Sequence, residues 1–176
     1  MQAARGTALT KPRILLVLVA LLTIGLDVAT KVLVVARLEG RTPIDLFDGL
    51  VTFAVSRNSG AAFSFAQGAT LVFAAVAVGV AIYILRTLPR LKSSGWAVAL
   101  GLLLGGACGN LVDRLTRAPG FGRGAVVDFI YVPHFATFNV ADSGITVGAV
   151  LAVLLSLRGI EVDGAHARSG HGRIGR

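Results

Sequence analysis

The chain has 176 residues, enough for one domain, and is 55% hydrophobic and only 15% charged, with a mean hydropathy of +0.78. A soluble domain of this length is about a quarter charged, so the composition argues for an integral membrane protein and against an ordinary soluble enzyme. The net charge of +8 would suit a nucleic-acid partner if it formed a patch, and its distribution along the chain argues against that.

Residues 1–13 form a polar tail bearing Arg5, Lys11 and Arg13. The apolar run over 14–36 then begins like a secretory signal, but it continues past Asp27 and lacks a small-residue cleavage site. It reads as an uncleaved first span, because a hydrocarbon core of about 30 Å takes about 20 helical residues. Asp27 and Lys31 interrupt it at i, i+4 spacing, acid first, which puts them on one helical face. Charges at that depth are costly unless paired or wet. An ion pair pinning the helix end and a direct part in chemistry both fit.

Residues 37–68 form a first external segment. Pro43, Asp45 and Asp48-Gly49 signal turns. Val51, Phe53 and Val55 alternate with Thr52, Ala54 and Ser56, a strand period. Asn58-Ser59-Gly60 reads as a turn with Phe63 and Phe65 alternating beyond it, so a small hairpin or sheet on the membrane is expected. Asn58 is either a turn residue or an amide offered to an extended substrate chain.

The second span, 69–85, has no charged residue and serves as scaffold. A tight turn containing Pro89 leads to the third span, 95–112, which Trp96 opens at the interface. Gly101, Gly105, Gly106 and Gly109 let neighbouring helices approach closely. Cys108, the one cysteine, leaves no disulfide framework and reads as a small buried thiol. Asn110, Asp113 and Arg114 close this span, with Asp113 neutralised by Arg114 or by another basic group. A second external segment, 113–139, contains a turn-rich loop around Pro119. A β-branched stretch over 125–132 follows, broken by Asp128, and is either a short strand or the approach to a helix. The last span, 140–157, carries Asp142 in its first turn, where backbone amides favour a negative charge. A basic tail, 158–176, follows and is expected to be solvated and disordered.

The fold class is therefore mainly α: a polytopic membrane protein of four transmembrane helices with a small external β-containing segment. In this arrangement the two tails and the turn near 86–92 lie on one side. They hold ten basic residues against Glu161 and Asp163, while the remaining seven basic and seven acidic residues cancel. The excess places both termini in the cytoplasm.

Of the seven acids outside the cytoplasmic segments, Glu39, Asp45 and Asp48 sit in polar loop sequence, Asp27 has Lys31, and Asp113 has Arg114. Asp128 and Asp142 have no Lys or Arg within four residues. If they meet, both cannot ionise cheaply and the pair holds one proton. Such a pair supplies a base to activate water and an acid for the leaving group. Periodicity alone does not bring them together. A Ser/Lys pair of Ser64 or Ser143 with Lys31 is less apt, because Lys31 has Asp27. His134 is the only histidine before the tail, which argues against a histidine triad or a zinc site. No phosphate loop or dinucleotide fingerprint stands out. No metal, cofactor or obligate protein partner is called for. A small proton-coupled transporter is the alternative, since intramembrane acids often mark proton paths.

Five motifs occur in order: Asp27-Val28-Ala29-Thr30-Lys31, Asn58-Ser59-Gly60-Ala61-Ala62-Phe63-Ser64, Gly109-Asn110-Leu111-Val112-Asp113-Arg114, Val126-Val127-Asp128-Phe129-Ile130 and Phe138-Asn139-Val140-Ala141-Asp142-Ser143. Together, over 14–157, they resemble the lipoprotein signal peptidase (signal peptidase II) family. The resemblance implies a bacterial inner-membrane aspartic peptidase with an external β-cradle. It would remove the signal peptide from a diacylglyceryl-modified prolipoprotein, cutting before the lipidated cysteine. It implies that Asp128 and Asp142 are catalytic. Asn58, Gly60, Asn110, Arg114 and Asn139 would bind substrate or orient the site, with Asp27, Lys31 and Asp113 also in its motifs. Lipid-modified prolipoproteins and membrane lipids are then the partners. One departure is local: many members carry an aromatic-Pro pair where this chain has Phe135-Ala136-Thr137.

Overall fold

The structure is a computed structural model and describes residues 10–59 and 66–166. Gly60, Phe63, Phe65 and the motif around them lie outside the described residues. Four long helices dominate: α1 (Lys11–Leu38), α2 (Ala66–Thr87), α3 (Ser94–Thr116) and α4 (Val140–Leu157). Three strands, β1 (Ile44–Leu46), β2 (Val51–Asn58) and β3 (Val126–Tyr131), form one antiparallel sheet in that order. The stretch over 125–132 is thus a strand.

The burial pattern is the reverse of a soluble protein's. In α1 the buried residues are Leu16, Ala20, Thr23, Asp27 and Lys31, a stripe stepping by three or four. Its outer face exposes Leu18, Leu21, Leu22, Leu26, Val32 and Leu33, with Leu22 63% open. An apolar face of this size on a packed helix is suited to lipid. α1, α3 and α4 are each long and apolar enough to cross a membrane. The chain is a multi-pass membrane protein.

Glycines set the packing of α3. A Cβ at Gly105 would lie 2.6 Å from Thr23 Cβ and 2.8 Å from the Ala20 carbonyl, and one at Gly109 would lie 2.6 Å from an Asp27 carboxylate oxygen. Small residues at these positions let α3 pass between α1 and α4 at close range. Cys108 in the same run is half-buried rather than buried.

The two ends of the bundle differ. At one end, Leu16, Ile84, Leu91, Ala97 and Leu100 form an apolar cluster. Arg13 caps the connection there, donating to the Leu88 and Pro89 carbonyls. The start of the C-terminal tail is also docked at this end, contrary to the sequence expectation. Ile160 bridges His166, the Val162 carbonyl accepts from Lys92 and Ser93 N–H, and Trp96 Nε1 donates to the Ile160 carbonyl at 2.7 Å. The apolar residues Ile160 and Val162 alternate with Glu161 and Asp163, which gives this short segment a face to pack. The sheet and Asp27, Asp113, Asp128 and Asp142 lie at the other end.

Candidate active site

The sheet sets the first part of the site. β2 pairs with β3 so that Asn58 lies opposite Val126 and Ser56 opposite Asp128, after a bulge between Phe53 and Ser56. Val126 and Asp128 share a face, so Asn58 is the diagonal neighbour of Asp128. Asn58 Nδ2 donates to Asp128 Oδ2 at 2.9 Å. Asn58 therefore ends a strand rather than making a turn.

The chain then doubles back. Phe138 forms a bridge with Ile130, its carbonyl accepting from Phe129 and Ile130 N–H. This return delivers Asn139 beside Asp128 at the start of α4. The Asn139 side chain caps that helix, its Oδ1 accepting from Asp142 N–H at 3.0 Å, while Asp142 Oδ2 accepts from Asn139 N–H at 3.1 Å. This is a reciprocal capping box with Asp in the acidic position. The cap leaves Asn139 Nδ2 free to turn toward Asp128 Oδ1, at 2.7 Å. One fully buried asparagine thus touches both carboxylates.

Asp142 receives a further donor from α3, Asn110 Nδ2, at 2.8 Å from Oδ1. Asp128 is buried and Asp142 half-buried, and the half-buried Arg114 guanidinium is within electrostatic reach of both and of Asp113. Burial pushes the Asp128 carboxyl above the ordinary carboxylate range. The hydrogen bond from Asn58 opposes this, the charge of Asp142 adds to it, and the bond from Asn139 and the charge of Lys31 oppose it. A carboxyl with a raised pKa, joined through Asn139 to a second carboxyl, is an arrangement suited to acid–base chemistry on water.

Behind the pair lies a second charged group. Lys31 Nζ is 2.8 Å from Asp27 and 3.0 Å from Asp113, and all three residues are buried. Asp113 also pairs with Arg117, one helical turn on, so Lys31 and Arg117 neutralise it alongside the charge of its neighbour Arg114. Adjacent helical residues diverge by about 100°, whereas i and i+4 align. Among the loop acids, Glu39 is paired with Arg57 and Asp45 accepts from Thr52, so neither is simply solvated. Among the described residues, no group of three or more His, Cys, Asp or Glu could hold a metal ion.

The family model "Signal peptidase (SPase) II" matches residues 19–158. The chain belongs to the signal peptidase II family. It is a peptidase of the aspartic type. Among curated relatives, the "Lipoprotein signal peptidase" of Streptomyces coelicolor is 52% identical over 146 residues, spanning 83% of this chain and 72% of the relative. That of Mycolicibacterium smegmatis is 50% identical over 161 residues, 91% of this chain and 68% of the relative. A bacterial membrane enzyme solved by the in meso method superposes with a TM-score of 0.69 at 28% identity, covering 81% of this chain and 92% of that one. The transporter alternative finds no support in these matches.

Proposed function

We propose that this enzyme removes signal peptides from diacylglyceryl-modified prolipoproteins, cutting before the lipidated cysteine, with Asp128 and Asp142 as the catalytic pair. The observation that carries the reading is Asn139, which donates its side-chain amide to Asp128 and its backbone amide to Asp142. The apolar signal helix and the acyl chains partition into the bilayer and bring the scissile bond to the site end of the bundle. One aspartate takes a proton from water, which attacks the carbonyl carbon. The other, protonated, donates a hydrogen bond to the carbonyl oxygen. Proton transfer to the departing amine then breaks the C–N bond, with no acyl-enzyme. Asn58, Asn110 and Asn139 hold the carboxylates. Arg114 supplies a positive charge for substrate backbone or developing oxyanion, and Gly60, outside the described residues, is assigned to substrate binding by the family resemblance.

In the membrane, α2 makes the fourth crossing. Its residues from Ala66 to Leu85 include none that is charged. Both termini lie in the cytoplasm and the site at the outer face, in keeping with the basic excess at the opposite end of the bundle.

The test is turnover of a purified, lipid-modified prolipoprotein to the shorter product, with the unlipidated precursor as control. Asp128→Asn and Asp142→Asn proteins that insert normally yet give no product are expected. Substantial cleavage by either overturns the pair, and equal cleavage of the unlipidated precursor overturns the lipid requirement.

A further inference from the structure

Lys31 is fully buried and takes no part in the reaction just described. Its ammonium has three N–H donors and no acceptor. All three have acceptors in reach: Asp27 at 2.8 Å, Asp113 at 3.0 Å and Asn110 Oδ1 at 3.0 Å. Each of these partners leads to the catalytic pair.

Asp27 Oδ1 accepts from Ala141 N–H at 2.9 Å, and Ala141 immediately precedes Asp142. Asp113 Oδ2 accepts from Val127 N–H at 3.1 Å, and Val127 immediately precedes Asp128. The two arms are alike: a helix-borne carboxylate holds the backbone amide one residue before each catalytic aspartate, and Lys31 holds both carboxylates. The third arm concerns Asn110. The ammonium, with Asn139 Nδ2 at 3.2 Å, donates to Oδ1 and so keeps the NH2 group of the amide toward Asp142. A flipped Asn110 would set its oxygen against the Asp142 carboxylate. With Arg117 on Asp113, two cations balance two anions, so the group holds its place without a net buried charge.

We propose that Lys31 is a positioning residue for the reaction, acting on Asp142 through Asn110 and on both catalytic aspartates through Asp27 and Asp113. This rests on the reading of Asp128 and Asp142 as the catalytic pair. Removing the ammonium leaves Asn110 Oδ1 with the longer bond from Asn139 Nδ2 alone and loosens both amide anchors. An error of about 1 Å at a reacting group costs about 100-fold in rate.

The experiment is steady-state cleavage of lipid-modified prolipoprotein by purified variants, with melting temperature measured alongside. Lys31→Met is expected to lower kcat about 100-fold with KM changed less than about twofold. Lys31→Gln, which keeps an N–H donor for Asn110, should recover about tenfold of that loss. In a double-mutant cycle the Lys31→Met effect on kcat should be smaller in an Asn110→Ala background than in the parent, because one of its three arms runs through Asn110. If Lys31→Met does not accumulate in the membrane, the cycle is run with Lys31→Gln, for which the same non-additivity is expected. A lowered melting temperature with unchanged kcat, or additive effects in the cycle, overturns the proposal. Inactive Asp128→Asn and Asp142→Asn proteins beside a Lys31→Met protein of normal kcat would leave the catalytic pair standing and remove only the positioning role. Active aspartate variants would remove both.

Discussion

The two ends of this bundle use charge in opposite ways. At the basic end the core is hydrocarbon, built from Leu16, Ile84, Leu91, Ala97 and Leu100, and Arg86 and Arg90 lie outside it at the helix ends. At the site end the charged and polar residues Asp27, Lys31, Asp113, Asp128 and Asn139 are buried together with Val126, Val127, Phe129 and Ala141. Buried charge is stable only when paired and hydrogen-bonded. The site end can therefore fold in only a few ways, whereas the basic end tolerates many sequences. Charge at the basic end stays accessible, and charge at the proposed site is taken out of solvent.

The sharpest way to break this contrast is at the pair itself. Asp128→Asn should abolish detectable turnover, a loss at or beyond the top of the about 10²–10⁴-fold range for losing a positioned acid or base. The same variant tests the electrostatics through stability. The folded-state pKa of Asp128 is raised, so its contribution to stability is full below the ordinary carboxylate range and is lost as pH rises through the raised value. Melting temperature measured across that window should fall with rising pH in the parent protein, and the fall should be smaller in Asp128→Asn.

Next comes Asp113→Leu, which strips Lys31 and Arg117 of a partner and leaves Val127 N–H unpaired. A loss of about 3–5 kcal/mol is expected from thermal or denaturant unfolding in detergent. Asn58→Leu removes a donor that holds the Asp128 pKa down. The alkaline limb of the kcat profile, where the shared proton is lost, should move to higher pH. At the basic end the effects shrink. Trp96→Phe, which deletes the bond to the Ile160 carbonyl, should cost about 1 kcal/mol and leave kcat unchanged. Arg90→Ala should change stability by less than about 0.5 kcal/mol. A large effect of Arg90→Ala on kcat would dissolve the distinction between the ends.

The sequence made local features legible and long-range ones obscure. Hydropathy located the helices, and the i, i+4 spacing of Asp27 and Lys31 already gave their pairing. The same spacing applied to Asp113 gives Arg117 as the further basic group beside the adjacent Arg114. Asn58 and Asp128 are 70 residues apart and meet through a strand register with a bulge, which no local pattern encodes. The capping role of Asn139 was readable in principle, since Asn three residues before an acid at a helix start is a capping signature. Its second bond, to Asp128, depends on the Phe138–Ile130 bridge and could not be read.

That double duty of Asn139 ties catalysis to biogenesis. The side chain that starts α4, worth about 1 kcal/mol as a cap, also aims a donor at Asp128, so seating the final helix and completing the active centre are one event. A nascent chain whose last helix has not been seated has no assembled centre.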